Sequence, residues 1–229
     1  MTPRPSDAAT SKSRARVIPD GQEGRALALE VLRAGGVVAL PTDTVYGIAV
    51  ALSTPGGIER LFTAKRRPPD KGIMLLLDDA IQADGIGVMT PAAQALVAAC
   101  WPGGLTVIVP QRPDVLLPPV LTGGSPTIGL RAPAHEAPRA LARGVGPLPV
   151  TSANVSGLPE ATDAAGILAQ LGDAIDLILD GGPAHGGPAS TVVDCTGDRA
   201  IILREGAVPL QRLAAMALVA ARLPHDVGR

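Results

Sequence analysis

The sequence predicts a single-domain α/β fold, in which helices surround a mixed β-sheet. Short apolar segments of strand length alternate with amphipathic segments of helix length along most of the chain, a pattern typical of α/β proteins. Hydrophobic residues make up 46% of the 229 residues, which is enough for a substantial core. No linker-like or low-complexity tract divides residues 21–215. We therefore expect one domain over that range.

The elements follow from apolar spacing and from turn residues. The first helix is predicted from Arg25, because Leu27, Val31 and Leu32 recur at helical spacing and Gly35-Gly36 ends the run. Apolar runs between turn residues predict strands, and helical spacing predicts further helices. In chain order these are strand Val37–Leu40, helix Gly57–Lys65, strand Ile73–Leu77, helix Thr90–Cys100, strands Leu105–Val109 and Ile128–Leu130, helix Glu136–Arg143, strand Leu148–Val150, helix Thr162–Leu171, strands Ile175–Leu179, Thr191–Asp194 and Ile201–Leu203, and helix Pro209–Arg222.

Capping residues and the termini complete this prediction. Thr90 followed by Pro91 is a typical helix start, and Thr162 is expected to cap its helix in the same way. Residues 1–20 are polar and lack periodic apolar positions, which predicts a disordered N-terminal lead-in. Residues 216–229 are expected to be the end of the last helix and a tail.

Composition excludes several classes of function. The chain has 20 basic and 21 acidic residues, a net charge of −1, which argues against nucleic-acid binding by bulk charge but leaves room for a local basic patch. One Trp, one Tyr and one Phe cannot build a base-stacking platform. No apolar run reaches the ~18 residues of a membrane span, and no secretory signal is visible. We therefore expect no membrane partner. Cys100 and Cys195 are isolated in the sequence, so we expect reduced thiols, no structural zinc and a cytoplasmic location.

Two polar segments adjoin predicted strands in the first half of the chain. Residues 41–47, PTDTVYG, place hydroxyls and a carboxylate directly after a buried strand, where open α/β sheets bind ligands. The alternative is a capped turn into a helix, with Thr42 or Asp43 as the cap. Residues 65–72, KRRPPDKG, hold four cations in seven residues, which suits a polyphosphate. The alternative there is a solvated basic turn.

Further polar groups follow later strands. Arg131 comes just after a predicted strand and suits a carboxylate or phosphate, although an ion pair with a neighbouring acid is the alternative. Ser152 and Asn154 point to the same side of an extended segment and fit a phosphate or an adenine-ribose edge. A serine nucleophile is disfavoured because the Gly-x-Ser-x-Gly elbow is missing. Ser190 opens one strand and Arg204 closes another.

Taken together, seven ordered segments resemble the YrdC/Sua5/YciO family of threonylcarbamoyl-AMP synthases. They read PTDTVYG, KRRPPDKG, WPGGLT, GLRAPAH, PVTSANVSG, STVVD and LREGAV. The resemblance runs from about Arg25 to about Gln211 and is to the short, single-domain YrdC type. It implies a YrdC-like twisted mixed β-sheet with surrounding helices and a large concave, positive cavity. At Gly72 many family members have proline instead, a departure expected to alter loop stiffness.

The resemblance also implies an activity. Such enzymes make L-threonylcarbamoyladenylate and pyrophosphate from L-threonine, bicarbonate and ATP, for the t6A37 modification of tRNA. Mg²⁺ is expected to arrive on the ATP phosphates, with no metal ligand from the protein. A threonylcarbamoyl transferase complex, or tRNA itself, is the expected macromolecular partner.

Site residues are carried over from the same resemblance. Lys65 and Arg67 are expected to bind ATP and to stabilise charge at the α-phosphate and leaving group. ATP is further expected to contact Ser152, Asn154 and Arg204. The expected threonine site consists of Thr42, Arg131, Thr151 and Ser190, with Thr44 and Tyr46 as cavity wall.

Two other interpretations stay open at this point. One is a YciO-like paralogue with the same fold and little synthase activity. The other is a module that binds double-stranded RNA or tRNA through the positive cavity, which near-neutral total charge weakens. RNA affinity that falls steeply with salt, without ATP turnover, would favour the second.

Overall fold

The computed structural model describes residues 14–184, 187–216 and 219–220. Within these residues, one mixed sheet contains eleven strands in the order β1-β8-β2-β3-β7-β4-β6-β5-β9-β10-β11. The strands are β1 Arg16–Pro19, β2 Val38–Leu40, β3 Gly47–Ala49, β4 Met74–Leu76, β5 Leu105–Pro110, β6 Thr127–Arg131, β7 Leu148–Ser152, β8 Leu177–Asp180, β9 Thr191–Asp194, β10 Ala200–Arg204 and β11 Val219–Ala220. The predicted α/β architecture is confirmed.

Helices cover both faces of the sheet. In the described residues they are α1 Gln22–Arg33, α2 Gly57–Lys65, α3 Ala80–Asp84, α4 Pro91–Cys100, α5 Pro119–Thr122, α6 Glu136–Val145, α7 Ala164–Leu171 and α8 Leu210–Ala214. Strands β2 and β3 pair antiparallel, as do β3 and β7, β4 and β7, and β5 and β6. Strands β4 and β6 run parallel, and so do β5 and β9. The sheet therefore mixes hairpin-like and crossover connections.

Two hydrophobic clusters form the core, one on each side of the sheet. Side chains alternate along a strand, and in β4 Leu75 packs into the larger cluster while Leu76 packs into the smaller one. Leu61 of α2 belongs to the larger cluster, and Leu32 of α1 and Leu141 of α6 belong to the smaller. Because both sheet faces are buried, the strands read as continuous apolar runs. This burial fixes the strand ends that carry the polar segments.

The observed caps agree with one prediction and correct another. The Thr90 hydroxyl accepts a hydrogen bond from the backbone N–H of Ala93 at the start of α4, which confirms that cap. Helix α7 is instead capped by Asp163, whose carboxylate accepts from the backbone N–H of Gly166. The predicted cap, Thr162, lies one residue too early. An aspartate at the next position supplies a stronger acceptor to the same helix start.

The structure also corrects the predicted termini. Residues 16–19 of the expected disordered lead-in form β1, which pairs parallel with β8. The side chains of β1 are mostly exposed, and the strand is held by backbone pairing. The sequence therefore shows no apolar pattern from which this strand could be predicted. The last predicted helix ends at Ala214, and Val219–Ala220 pairs parallel with the edge of β10. Backbone pairing there prevails over an alanine-rich helical pattern. The predictions for residues 1–13 and 221–229 lie outside the described residues.

Other elements appeared only in the structure. Strand β3 and the short helices α3 and α5 were not predicted. Residues 41–47 therefore lead into a strand that pairs with β2 and β7, and the alternative of a capped turn into a helix is wrong. Among the described helices, none combines the length and apolar character that a membrane span requires.

Candidate active site

The predicted polar segments converge on one cleft. A cavity of about 200 Å³ is lined by Arg67, Arg131, Thr151, Ser190 and Arg204, among others. A smaller one of about 50 Å³ adjoins it and is lined by Thr42, Thr44 and Tyr46; the two share Thr44, Arg131, Thr151 and Ser152 as lining residues. A third, of about 260 Å³, shares Gly72, Ile73, Met74 and Arg204 with the first. The three spaces therefore form a continuous cleft.

Strand pairing explains why distant segments meet here. Ser152 at the end of β7 lies opposite Gly47, the first residue of β3, and Thr151 lies opposite Ile48. Arg131 is the last residue of β6, paired with Leu76 of β4. It was expected one residue beyond the strand; the strand extends to include it. Segments that follow these strands therefore open onto one edge of the sheet.

Lys65 sits at the end of α2 in a cage of oxygen atoms. Its ammonium is 2.7 Å from the carbonyl oxygen of Ser152 and 2.7 Å from Oδ1 of Asn154. It is 3.1 Å from the Ser152 hydroxyl and from the Asn154 carbonyl oxygen. Only 3% of Lys65 is exposed. Burial, reinforced by the nearby Arg67 charge, lowers the pKa of Lys65 from 10.5 to about 8.

Ser152 and Asn154 hold this cage together. The Ser152 hydroxyl donates to Oδ1 of Asn154 at 2.8 Å, and the Asn154 amide donates to the carbonyl oxygen of Leu158 at 2.7 Å. Ser152 lines the cleft, whereas Lys65 and Asn154 are not among the residues lining the three cavities. The structure thus places Lys65 and Asn154 behind Ser152 and not at the open surface. The three N–H groups of the ammonium are shared among four acceptors.

Arg67 is held by the basic loop that it belongs to. Its Nε donates to the carbonyl oxygen of Lys71 at 2.8 Å and its NH2 to that of Gly72 at 2.7 Å. Burial lowers the pKa of Arg67, with Asp70 acting in the opposite direction. The loop therefore folds back on itself and presents Arg67 to the cleft. The alternative of a fully solvated basic turn does not describe Arg67, although Lys71 is exposed.

Close backbone contact fixes the end of this loop. The N–H of Ile73 donates to the carbonyl oxygen of Leu121 in α5. A Cβ at Gly72 would lie 2.8 Å from the backbone of Thr122, and one at Gly123, where φ is +64°, would lie 2.6 Å from the carbonyl oxygen of Asp70. Both glycines are therefore required by the approach of α5 to the loop. Proline at position 72 would not fit this contact without a shift.

Arg131 is buried and paired. Its NH2 is 2.6 Å from Oδ1 of Asp43, its NH1 donates to the Thr44 hydroxyl at 2.9 Å, and its Nε donates to the carbonyl oxygen of Gly103 at 3.0 Å. Only 4% of its side chain is exposed. Burial lowers the pKa of Arg131, while Asp43 opposes that change and Arg204 adds to it. The ion pair considered as an alternative is present, and Arg131 lines the cleft as well.

The hydroxyls of Thr42 and Thr44 form a local network, whereas that of Tyr46 contacts the segment after β8. The Thr42 hydroxyl donates to the carbonyl oxygen of Val45 at 2.7 Å and accepts from the N–H of Thr44 at 3.1 Å. The Tyr46 hydroxyl donates to the carbonyl oxygen of Gly182 at 2.6 Å and accepts from the N–H of Gly181 at 3.0 Å. Tyr46 is 2% exposed, and burial raises its pKa. The Tyr46 hydroxyl therefore anchors the segment after β8, and Tyr46 also lines the smaller cavity.

The far side of the cleft is built from Ser190 and Arg204. The Ser190 hydroxyl lies 2.8 Å from the Thr106 hydroxyl of β5. The Arg204 guanidinium donates to the Ser190 carbonyl oxygen at 2.8 Å from NH2 and 3.2 Å from Nε. Thr106 lines the largest of the three cavities and was not predicted as a site residue. A single hydroxyl inside the apolar strand Leu105–Val109 was the signal that could have indicated it.

Two acidic residues were not assigned a site role from the sequence: Glu160 was not singled out, and Asp43 was noted only as the carboxylate of residues 41–47 and as a candidate cap. Glu160 lines the cavity beside Arg67 and Ser152, and Asp43 contacts Arg131. In the described part of the chain, no three His, Cys, Asp or Glu side chains lie together as a metal site would require. Cys100 and Cys195 are buried free thiols, and burial raises the pKa of Cys195 to about 12. Neither thiol lines the cleft.

The fold and the site define an α/β protein whose cleft, walled by hydroxyls and guanidinium groups, suits a small anionic ligand. The chain belongs to the Sua5_yciO_yrdC family, whose sequence model, described as telomere recombination, matches residues 30–206.

Relatives and solved structures agree with this membership. The chain is 37% identical over 199 residues to a protein named threonylcarbamoyl-AMP synthase from Bacillus subtilis, a match covering 86% of this chain and 57% of that protein. The structure of P. abyssi Sua5 complexed with L-threonine is similar with a TM-score of 0.82 and 31% identity, over 91% of this chain and 62% of the other. That of E. coli YciO has a TM-score of 0.77 and 28% identity, over 87% and 98%. The chain thus spans less than two thirds of the length of the first two.

Proposed function

We propose that this chain forms L-threonylcarbamoyladenylate and pyrophosphate from L-threonine, bicarbonate and ATP. The observation that carries the proposal is the convergence of Arg67, Arg131 and Arg204 on one cleft, with Lys65 one hydrogen bond behind its wall. Relatives bear the name of this activity, and a structural neighbour is a complex with L-threonine.

The chemistry suits these residues. The neutral threonine amine and bicarbonate give an N-carboxylate with loss of water, and an oxygen of that carboxylate attacks the α-phosphorus of ATP and expels pyrophosphate. Such a reaction needs little covalent help and depends on positioning and on stabilisation of charge. Arg67 and Lys65 would stabilise the negative charge at the α-phosphate and leaving group. Arg131 would bind the threonine carboxylate, with Thr42, Thr151 and Ser190 around the amine and hydroxyl.

The remaining polar residues receive binding roles in the same proposal. Ser152 and Asn154 would act on ATP chiefly through the cage that positions the Lys65 ammonium. Arg204 would reach the phosphates from the end of β10. Thr44 and Tyr46 would shape the wall of the smaller cavity, Tyr46 by its ring because its hydroxyl is engaged elsewhere.

The residues of the cleft suit a Mg²⁺ ion that is bound by the nucleotide. Among the described residues, Glu160 is the carboxylate that lines the cavity of about 200 Å³. One carboxylate provides few of the oxygen ligands that a Mg²⁺ ion held by the protein alone would need. We therefore propose that Mg²⁺ enters on the triphosphate oxygens, where it offsets phosphate charge. Delivery of the product to a transferase complex that modifies tRNA, and a cytoplasmic location, belong to the same proposal.

A threonine-dependence assay tests the activity. Purified protein is incubated with ATP, bicarbonate and Mg²⁺, with and without L-threonine, and pyrophosphate release is followed together with the adenylate product. We expect release only when threonine is present. Equal release without threonine would contradict the proposal. An absence of turnover combined with salt-sensitive RNA binding would favour the RNA-binding alternative.

A further inference from the structure

Residues 155–159 follow the Lys65 cage and set the orientation of the Asn154 amide. The Asn154 amide nitrogen donates to the carbonyl oxygens of Val155 and Leu158, at 3.2 Å and 2.7 Å. With the nitrogen engaged there, Oδ1 of Asn154 lies 2.7 Å from the Lys65 ammonium. The two carbonyl oxygens of this segment therefore determine which atom of Asn154 faces Lys65.

Gln170 of α7 contacts both ends of this segment. Its Oε1 accepts a hydrogen bond from the backbone N–H of Val155, and its Nε2 donates to the carbonyl oxygen of Pro159, both at 3.1 Å. These bonds engage both the oxygen and the nitrogen of the side-chain amide. One side chain therefore connects helix α7 to the start and to the end of the segment that orients Asn154.

Little else holds the exposed part of the segment. Residues 157–159 are exposed, so burial contributes little to their position. Within the described residues, the hydrogen bonds that join the segment to a helix are the two of Gln170 and one from the Ser156 N–H to the Lys65 carbonyl oxygen at 2.9 Å. Without Gln170, residues 157–159 would have no hydrogen bond to a helix, and the Leu158 carbonyl oxygen could move away from Asn154.

We propose that Gln170 is a positioning residue for nucleotide binding, which holds residues 155–159 so that Asn154 keeps the Lys65 ammonium against the wall of the cleft where the ATP phosphates are expected. Small displacements of a charged group cost much of its effect on a ligand. Gln170 lines none of the three spaces of the cleft, so its effect passes through Asn154 and Lys65. The inference deepens the proposed function and depends on ATP binding beside Lys65.

Gln170→Met tests this inference, because methionine keeps the side-chain length and the helix propensity but forms neither hydrogen bond. Binding of a non-hydrolysable ATP analogue with Mg²⁺, and separately of L-threonine, is measured by calorimetry. We expect affinity for the analogue to fall about fivefold, the factor for one lost hydrogen bond, and threonine affinity to stay unchanged. Equal weakening of both ligands, or unchanged affinity for the analogue, would overturn the inference.

A double-mutant cycle with Asn154→Ala tests the path of the effect. Without the Asn154 amide, the carbonyl oxygens that Gln170 holds in place have no side chain to orient. Gln170→Met should therefore cause no further loss of analogue affinity in the Asn154→Ala background. The same loss in both backgrounds would overturn the inference, because Gln170 would then act by a route that does not include Asn154.

Gln94→Met is the matched control. Gln94 of α4 also donates from Nε2 to a backbone carbonyl oxygen, that of Met89, at 3.2 Å, and it lines none of the three spaces of the cleft. The same substitution there should leave both affinities at their wild-type values. A loss equal to that of Gln170→Met would overturn the inference, since the position of the glutamine would then not matter.

A second measurement needs no nucleotide. Lys65 is 3% exposed and Lys71 is exposed, so reductive methylation followed by mass spectrometry reports on the Lys65 cage with Lys71 as internal reference. We expect Gln170→Met to raise the methylation rate of Lys65 relative to Lys71 about fivefold, as one lost hydrogen bond favours local opening, and Gln94→Met to leave it unchanged. An unchanged ratio in Gln170→Met would overturn the inference.

Gln170→Ala removes the same two hydrogen bonds with the residue of highest helix propensity. It should reproduce both results, and it replaces Gln170→Met if the methionine variant does not fold. Failure of the proposed function has a different signature. The wild-type protein would then release no pyrophosphate in response to threonine, while the methylation rate of Lys65 would still depend on Gln170.

Discussion

The lowered pKa of Lys65 makes nucleotide binding depend on pH in a predictable direction. The Lys65 pKa is about 8, so about nine-tenths of the ammonium is charged at pH 7 and about one-tenth at pH 9. If only the charged form binds a triphosphate, the apparent dissociation constant scales inversely with that fraction. We therefore expect ATP affinity to fall about tenfold between pH 7 and pH 9.

Neighbouring groups do not produce the same change. Arg67 and Glu160 are the charges that act on Lys65, and the Arg67 guanidinium stays protonated over this interval. The second ionisation of a phosphate group has a pKa of about 6, so it is nearly complete above pH 7. A midpoint near pH 8 would therefore belong to Lys65.

Calorimetric titration with a non-hydrolysable ATP analogue and Mg²⁺ provides the measurement. The control protein is Lys65→Arg, whose charge is constant, and the control ligand is adenosine, which has no phosphate. Binding to the control protein and binding of adenosine should vary little from pH 7 to pH 9. Two results would refute the reasoning. In one, the wild-type affinity for the ATP analogue stays constant from pH 7 to pH 9; in the other, it falls equally in wild type and in Lys65→Arg.

Three further predictions concern turnover, loop position and stability. Lys65→Ala or Arg67→Ala should lower turnover about 10²-fold or more, as lost charge-stabilising donors do; near-normal steady-state rates would remove them from the catalytic residues. Gly72→Ala should raise the KM for ATP and leave threonine affinity, measured by calorimetry, unchanged. The added Cβ would lie 2.8 Å from the Thr122 backbone and would displace the basic loop. An unchanged KM would show that the loop does not position the nucleotide. Asp163→Ala should cost about 1 kcal/mol in denaturant unfolding through the lost cap while threonine-dependent turnover persists, and unaltered stability would contradict the capping role.

Local patterns predicted those parts of the molecule that local chemistry determines. Helix Gly57–Lys65 and strand Thr191–Asp194 agree with the prediction at both ends, since apolar spacing and turn residues define them. Ser152 and Asn154 were expected on one side of an extended segment; they do meet, and both contact Lys65, but β7 ends at Ser152 and a bend brings Asn154 back to it. Residues that are close in sequence leave a readable pattern.

Features that depend on long-range partners left no such pattern. Asp43 and Arg131 are 88 residues apart, and Thr106 and Ser190 are 84 apart, so neither pair could be inferred from spacing. Strand β1 was missed because its contribution is backbone pairing with β8 and its side chains are mostly exposed. Local sequence patterns therefore indicate candidate functional residues, whereas the tertiary fold determines which of these residues are in contact.

The contrast between Lys65 and Arg131 shows why the cleft is organised before any ligand binds. Taking a cation out of water is costly unless dipoles or an opposite charge replace its hydration. Arg131 is paired with a carboxylate, whereas Lys65 contacts only carbonyl, hydroxyl and amide oxygens, which satisfy its hydrogen bonds but form no ion pair with it; Glu160 acts on its charge from farther away. Burial lowers the pKa of both cations, and Asp43 opposes that change at Arg131. A bound anion would offset the cost of burial at Lys65, so part of the stability given up in the free protein returns as affinity at the place where phosphate charge is expected. Preorganised charge of this kind acts most strongly where no direct ion pair already offsets it.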